Sequence, residues 1–313
     1  MADSDKVDAR AEVWPSLPLE EWTDTYATLH LWTQIVGKIR LAQSPPFNHF
    51  WQVPLYVSAR GLTTTVIPHG TRNFEIEFDF IAHQLSIRTS DGETRRLELA
   101  PRPVADFYRE LMQTLDSLRL GVKIRAVPDE LPNPIPYADD YEHASYDPEY
   151  ATRHWRILAH ADRVFKEFRA GFIGKVSPVH FFWGSFDLAV TRFSGRRAPV
   201  REGADAINRE AYSHEVISHG FWPGSGNVQM PAFYSYTTPE PAGLPQTPVS
   251  PAAAFYNPQT AGFILPYDEV RKADEPERML LEFLQSSYEA GANLAKWDRA
   301  ALERTFTPDP SAR

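Results

Sequence analysis

Phe74-Glu75-Ile76-Glu77-Phe78-Asp79-Phe80 alternates without a break, four apolar side chains against three carboxylates. A strand sends successive side chains to opposite faces, so all four apolar groups share one face. That pattern reads as a half-buried antiparallel strand with a solvated acidic side. Leu85 to Thr89 reads as its return strand, and Asp91-Gly92 as the turn into a third strand, Arg95 to Leu99. Working outward, Trp22, Tyr26, Leu29, Trp32 and Val36 recur at the spacing of one helix face. This helix ends before Ser44-Pro45-Pro46, because a proline drives its predecessor out of helical geometry. A strand is expected from Phe50 to Arg60. On the other side Pro103 opens a helix with Phe107, Leu111, Leu115 and Leu118 inward and Gly121 just past its end. Val122 to Val127 is expected to close the unit as a strand.

The stretch 128–148 alternates prolines with Asp and Glu and reads as a semi-rigid linker. Beyond it the element order returns. A helix is expected over Glu149–Phe168 and a strand over His180–Phe193. Strand-like pieces lie at Tyr212–Ile217, Phe233–Tyr236 and Phe263–Leu265, and a closing helix runs Pro276–Asn293. Asn48-His49-Phe50-Trp51 parallels Val179-His180-Phe181-Phe182-Trp183, and an arginine, Arg60 or Arg192, lies nine residues beyond each tryptophan. The expected fold is therefore α+β: two diverged copies of an α-β-meander-α unit with antiparallel sheets and helices on one side. The expected division is a tail at 1–18, a first repeat at 19–127, the linker at 128–148, a second repeat at 149–300 and a tail at 301–313.

Composition restricts the chemistry. A net charge of −9 in 313 residues speaks against a general nucleic-acid binder, which needs a basic footprint. The absence of cysteine removes disulfides, thiol catalysis and thiolate metal sites. No apolar run approaches the roughly 18 residues of a membrane span, and no leader-like segment opens the chain, so the cytoplasm is the expected compartment. An aromatic content of 13% suits thick ring-filled cores or an aromatic pocket.

Trp22-Thr23-Asp24-Thr25-Tyr26-Ala27-Thr28-Leu29-His30, Ala144-Ser145-Tyr146-Asp147-Pro148-Glu149-Tyr150 and His180-Phe181-Phe182-Trp183-Gly184-Ser185-Phe186-Asp187-Leu188-Ala189 resemble a bacterial family of unknown function, number 5996. The resemblance covers nearly the whole chain. It implies a bacterial source and carries no activity, cofactor or site residue.

No phosphate loop, dinucleotide fingerprint or nucleophile elbow is present, so no cofactor is expected. His214-Glu215-Val216-Ile217-Ser218-His219 sets its histidines five apart, about 500° round a helix where a zinc protease needs about 400°. On a strand the same offset puts them on opposite faces. No metal is expected. A different contrast points to a site. Trp51, Val53, Leu55, Val57 and Ala59 form an apolar face in the first expected strand, whereas Trp183, Ser185, Asp187, Ala189 and Thr191 form a polar one in the second. Burying Asp187 without a partner costs several kcal/mol, so it is paired, solvated or functional. Arg192, Arg196 and Arg197 follow, with forks suited to an anion. The leading expectation is a cleft in the second repeat for a small anionic, partly aromatic molecule. Asp187, His180 and His214 are its acid-base candidates, the three arginines hold the anion, and Trp183 stacks. Whether a reaction follows is open. The rival is a non-enzymatic protein-interaction module with an exposed aromatic face.

Overall fold

The computed structural model describes residues 13–200, 202–226 and 228–304. Most of the two expected tails lies outside them. Within the first, Trp14 and Leu17 are buried, because two large apolar groups pack whether or not their sequence is periodic. The chain folds as two compact units. Unit 1 runs through His160 and adds His180–Leu188 and Pro223–Pro231; unit 2 comprises Ala161–Val179, Ala189–Trp222 and Ala232 onward.

Unit 1 is built round helix α1, Thr23–Gln43. Leu29, Trp32, Ile35, Val36 and Ile39 are fully enclosed, and so are several polar side chains of the same helix. Arg40 donates to the carbonyls of Thr64 at 2.7 Å and Pro54 at 2.8 Å, which meets the desolvation cost of a buried guanidinium. Gly37 has no substitute, since a Cβ there would stand 2.1 Å from the Trp183 indole.

The sheet beside α1 contains β1 (Tyr56–Val57), β2 (Gly61–Thr63), β3 (Ile67–His69), β4 (Arg72–Asp79), β5 (Gln84–Thr89) and β6 (Thr94–Glu98). Its order is β1-β2-β4-β5-β6, its pairings are antiparallel, and β3 shares with β2 the same neighbour, β4. Between β2 and β3 the chain bends at Thr65, whose φ is +57°. The expected continuous strand at 50–60 is absent. A 3-10 turn at Asn48–Phe50 and the loop after it stand in its place, and pairing begins only near Tyr56. His49 and Phe50 both hold positive φ, which no strand tolerates. Helix α2, Val104–Ser117, buries Phe107, Leu111 and Leu115 and stacks Phe107 on Trp32 at 4.6 Å. Val122–Val127 is extended but joins no β ladder among the described residues, and its one backbone bond there is the Ala126 carbonyl accepting the Tyr137 N–H at 3.0 Å. The Pro-rich stretch 128–148 is strapped onto unit 1. The Gln34 amide donates to the Asp129 carbonyl at 3.0 Å and accepts the Asp129 N–H at 2.9 Å, while Lys38 pairs with the Asp129 carboxylate.

Helix α3, Pro148–Ala170, contributes to both units, and β7, His180–Phe182, belongs to unit 1. Unit 2 carries the greater part of β8 (Asp187–Arg197), then α4 (Ala206–Ala211), β9 (His214–Trp222), β10 (Ala232–Thr238), β11 (Phe255–Asn257), β12 (Gly262–Pro266), α5 (Tyr267–Lys272), α6 (Pro276–Leu294) and α7 (Arg299–Leu302). Its strands run β11-β12-β10-β9-β8. Helix α6 packs one sheet face at close range, since a Cβ on Gly291 would stand 2.3 Å from the Thr237 hydroxyl. The expected single strand at 180–193 is two strands separated by a turn, with Phe186 at φ +58°. The polar face read across it therefore does not exist as one face, because alternation restarts at Asp187.

Candidate functional site

Across β8 and β9, Arg196 donates to the Glu215 carboxylate at 2.7 and 3.0 Å. Arg196 and Glu215 thus share a sheet face, and strand alternation sends Arg197 and His214 to the other. Arg196 also donates to the carbonyls of Ala295 and Lys296, just past α6, so the face opposite it is the one α6 does not cover. Tyr236 of β10 sits directly opposite Ser218 of β9, and Ser218 lies an even number of residues from His214. Tyr236 therefore joins Arg197 and His214 on the uncovered face. Lys175 is close enough to act on His214. Partial burial, then the charges of Lys175 and Arg197, hold the His214 imidazole below its ordinary range.

A cleft of about 470 Å³ opens on this part of unit 2. Its lining includes Tyr212, Tyr236, Thr238, Glu240 and Thr260. The Tyr212 and Tyr236 hydroxyls bond each other at 2.9 Å, and the Tyr234 and Tyr236 rings are stacked at 6.0 Å. Glu240 accepts the Tyr256 hydroxyl at 2.6 Å, and burial together with that carboxylate pushes the Tyr256 phenol up to about 12. Tyr256 stands on β11 and Arg197 on β8, the two ends of the strand order within unit 2. Glu240 and the phenol rings line the cleft itself, whereas Arg197 directly precedes the lining residue Ala198 and Lys175 lies outside the lining.

The residues singled out from sequence fall in different places. His180, Trp183 and Asp187 belong to unit 1, and Arg192, Arg196, Arg197 and His214 to unit 2. His180 is fully enclosed, with the rings of Trp51, Tyr56 and Phe182 at 5.8, 5.5 and 5.4 Å. Trp183 is buried and donates its indole N–H to the Val53 carbonyl at 2.7 Å. Asp187 is buried at the start of β8.

The three arginines do three separate jobs. Arg192 is 2% exposed, with its guanidinium 3.4 Å from the Phe168 ring centre and 4.3 Å from that of Tyr288. It donates to the Phe168 carbonyl, and burial brings it down to about 10. That guanidinium is sealed by rings and cannot clamp a ligand alongside its neighbours. Arg196 is spent on Glu215 and two carbonyls. Arg197 is exposed, and its guanidinium makes no ion pair or hydrogen bond among the described residues. His219 is enclosed beside Phe168 at 4.9 Å, and burial holds it well below its ordinary range.

Sequence reasoning missed Tyr212, Tyr236, Glu240 and Lys175. The alternation Phe233-Tyr234-Ser235-Tyr236 carried a signal, two phenols on one face of a recognisable strand. Among the described residues no group of three or more His, Asp or Glu is placed to hold a metal ion. No described helix is long and apolar enough to cross a membrane. Residues 14–304 match the profile of a family of unknown function, DUF5996. No curated protein matches the chain, and no solved structure does.

Proposed function

We propose, for a chain that belongs to the family of unknown function DUF5996, that unit 2 binds a small anionic, partly aromatic molecule in the cytoplasm of a bacterium. The observation that carries this reading is the cleft of about 470 Å³ lined by Tyr212 and Tyr236, with the exposed Arg197 one residue before its lining. Small-molecule sites are concavities of about 300–1,000 Å³ with rings for contact area and a few convergent polar groups. Here Tyr236 and Tyr212 offer ring faces and hydroxyls, Arg197 beside the lining attracts an anionic group, and Glu240 repels one at its own end. The ligand class is a ring bearing an anion at one end and a hydrogen-bond donor at the other. Among the described residues that line it the cleft has no carboxylate pair and no histidine, and binding rather than a reaction is the reading it supports.

Amide chemical-shift mapping with 4-hydroxybenzoate as probe, and benzamidine as its charge-reversed control, tests this. The benzoate should perturb signals of Tyr236, Thr238 and Arg197, and Arg197→Ala should weaken it at least fivefold. Equal response to benzamidine, or shifts confined to residues outside the cleft, would overturn the reading. Native mass spectrometry of protein from its own host should find an anionic ligand that Tyr236→Ala fails to retain.

A further inference from the structure

Gly121–Arg125 is an extended segment without a β partner. Its backbone N–H and C=O groups make no hydrogen bond among the described residues. The side chains nonetheless alternate as in a strand: Val122 buried, Ile124 half-buried, Lys123 and Arg125 exposed. Beside it runs a groove of about 510 Å³, lined on one side by Val122, Lys123 and Ile124 and on the other by Tyr108, Arg109 and Met112 of α2. An unpaired extended segment is a template for another strand, since its donors and acceptors already stand at strand spacing. Peptides recognised this way draw affinity from the main chain and specificity from pockets for alternate side chains.

We propose that this groove of unit 1 binds an acidic peptide in extended conformation, which adds to Gly121–Arg125 as a strand. Charge selects the occupant. Of the charged residues lining the groove, Arg109 and Lys123 are cationic and only Asp116 is acidic, although the whole chain carries −9; Arg109 already pairs with Asp106 at 2.8 Å, so Lys123 is the open cation. Lys123 and the neighbouring Arg119 make no ion pair among the described residues, and Arg125 reaches Asp129. A second copy of this chain pairing through the same segment would set Lys123 and Arg125 against their own equivalents, and like charges across a ladder destabilise it. An acidic strand meets the same positions favourably. Alternate apolar residues of the peptide would lie on Tyr108, Met112 and Val122, with acidic residues on the other face against Lys123. The site is in unit 1 and does not depend on the unit 2 cleft.

Fluorescence anisotropy with a labelled, end-capped (Glu-Val)4 peptide, and (Lys-Val)4 as its control, tests the proposal on the full chain. The acidic probe should bind and the basic one should not. Lys123→Glu, a change at an exposed side chain, should weaken binding at least fivefold, while Tyr236→Ala in unit 2 should leave it unchanged. N-methylation of the probe at alternate residues along one edge should abolish binding, and along the other edge should be tolerated. This arm cannot unfold the protein. No binding, equal binding of the basic probe, equal response to both methylation patterns, or indifference to Lys123→Glu would each overturn the proposal. So would a concentration-dependent dimer, in sedimentation, that is lost on Ile124→Asp.

Discussion

The uncovered sheet face of unit 2 and the carboxylate face of β4 in unit 1 treat charge in opposite ways. In unit 1, Glu75 and Glu77 both bind Arg88 at 2.9 Å, and Asp79 binds Arg60 at 2.6 Å. Glu77 also accepts the Ser58 hydroxyl at 2.7 Å. Every acid of the alternating strand is neutralised by a neighbour, so the face presents little net field. In unit 2, Arg197 lacks such a partner, and Lys175 adds charge of the same sign close to His214. A face that cancels its own charges is a solvated surface. A face that leaves one sign uncompensated, in a chain of net charge −9, has attraction left for something else.

The interiors extend the comparison and set the largest expected effect. Burial holds His30 down to about 4 and His154 to about 3, both in unit 1, whereas His214 on the open face is only half-buried. These folded values lie below the ordinary 6.5. Above that pH neither state binds the protons and stability is flat. Below it the unfolded chain takes up protons that the folded one refuses, so stability falls until pH reaches each folded value. Between pH 7 and 5 each histidine should cost about 2 kcal/mol. Urea melts at pH 7, 6 and 5 measure this; with His219 of unit 2 contributing likewise, His154→Phe should remove about a third of the slope. Equal stability at pH 7 and 5 would show that these rings find protons acceptable.

Next in size is the contrast along β8. Arg192→Ala deletes a guanidinium packed on Phe168 and Tyr288 and should cost about 3 kcal/mol or more, read from thermal melts. Glu77→Gln breaks a half-exposed ion pair and should cost about 1 kcal/mol or less, with the loss shrinking as salt rises. A larger, salt-independent loss would mean that the carboxylate face of unit 1 is not the solvated surface described above. Arg197→Ala has the smallest effect on stability, within about 0.5 kcal/mol, while it weakens 4-hydroxybenzoate binding at least fivefold. A variant that unfolds would instead make Arg197 structural and erase the contrast between the two faces.

The duplication stands as a proposal of the same kind. Superposing residues 20–127 on 149–295 should align the helices and the strands at Arg60 and Arg192. Strands that match only in number would remove it. The anchor pair first used for it is weak, because Arg60 is a surface ion-pair partner and Arg192 a ring-packed core cation.

The sequence by itself determined the α+β class and most long elements. Thr23–Gln43, Arg72–Asp79, Gln84–Thr89, Val104–Ser117 and Pro276–Leu294 each form within a few residues of where periodicity placed them. Periodicity is a local property: it records which side of one element meets the core, and burial then enforces it. It also kept His214 and His219 apart on a strand, which the structure shows. Only the tertiary structure decided the rest. Positive φ at His49, Phe50 and Phe186 broke two expected strands, and nothing in the residue types there announces it. The stretch 128–148 reads as a linker until Gln34 and Lys38, some ninety residues away, are seen to hold Asp129. Arg192 and Arg197 are one residue type on one strand, and what separates them is which face is closed by Phe168 and Tyr288. A guanidinium's role depends on the groups that surround it in space, and those arrive from distant parts of the chain.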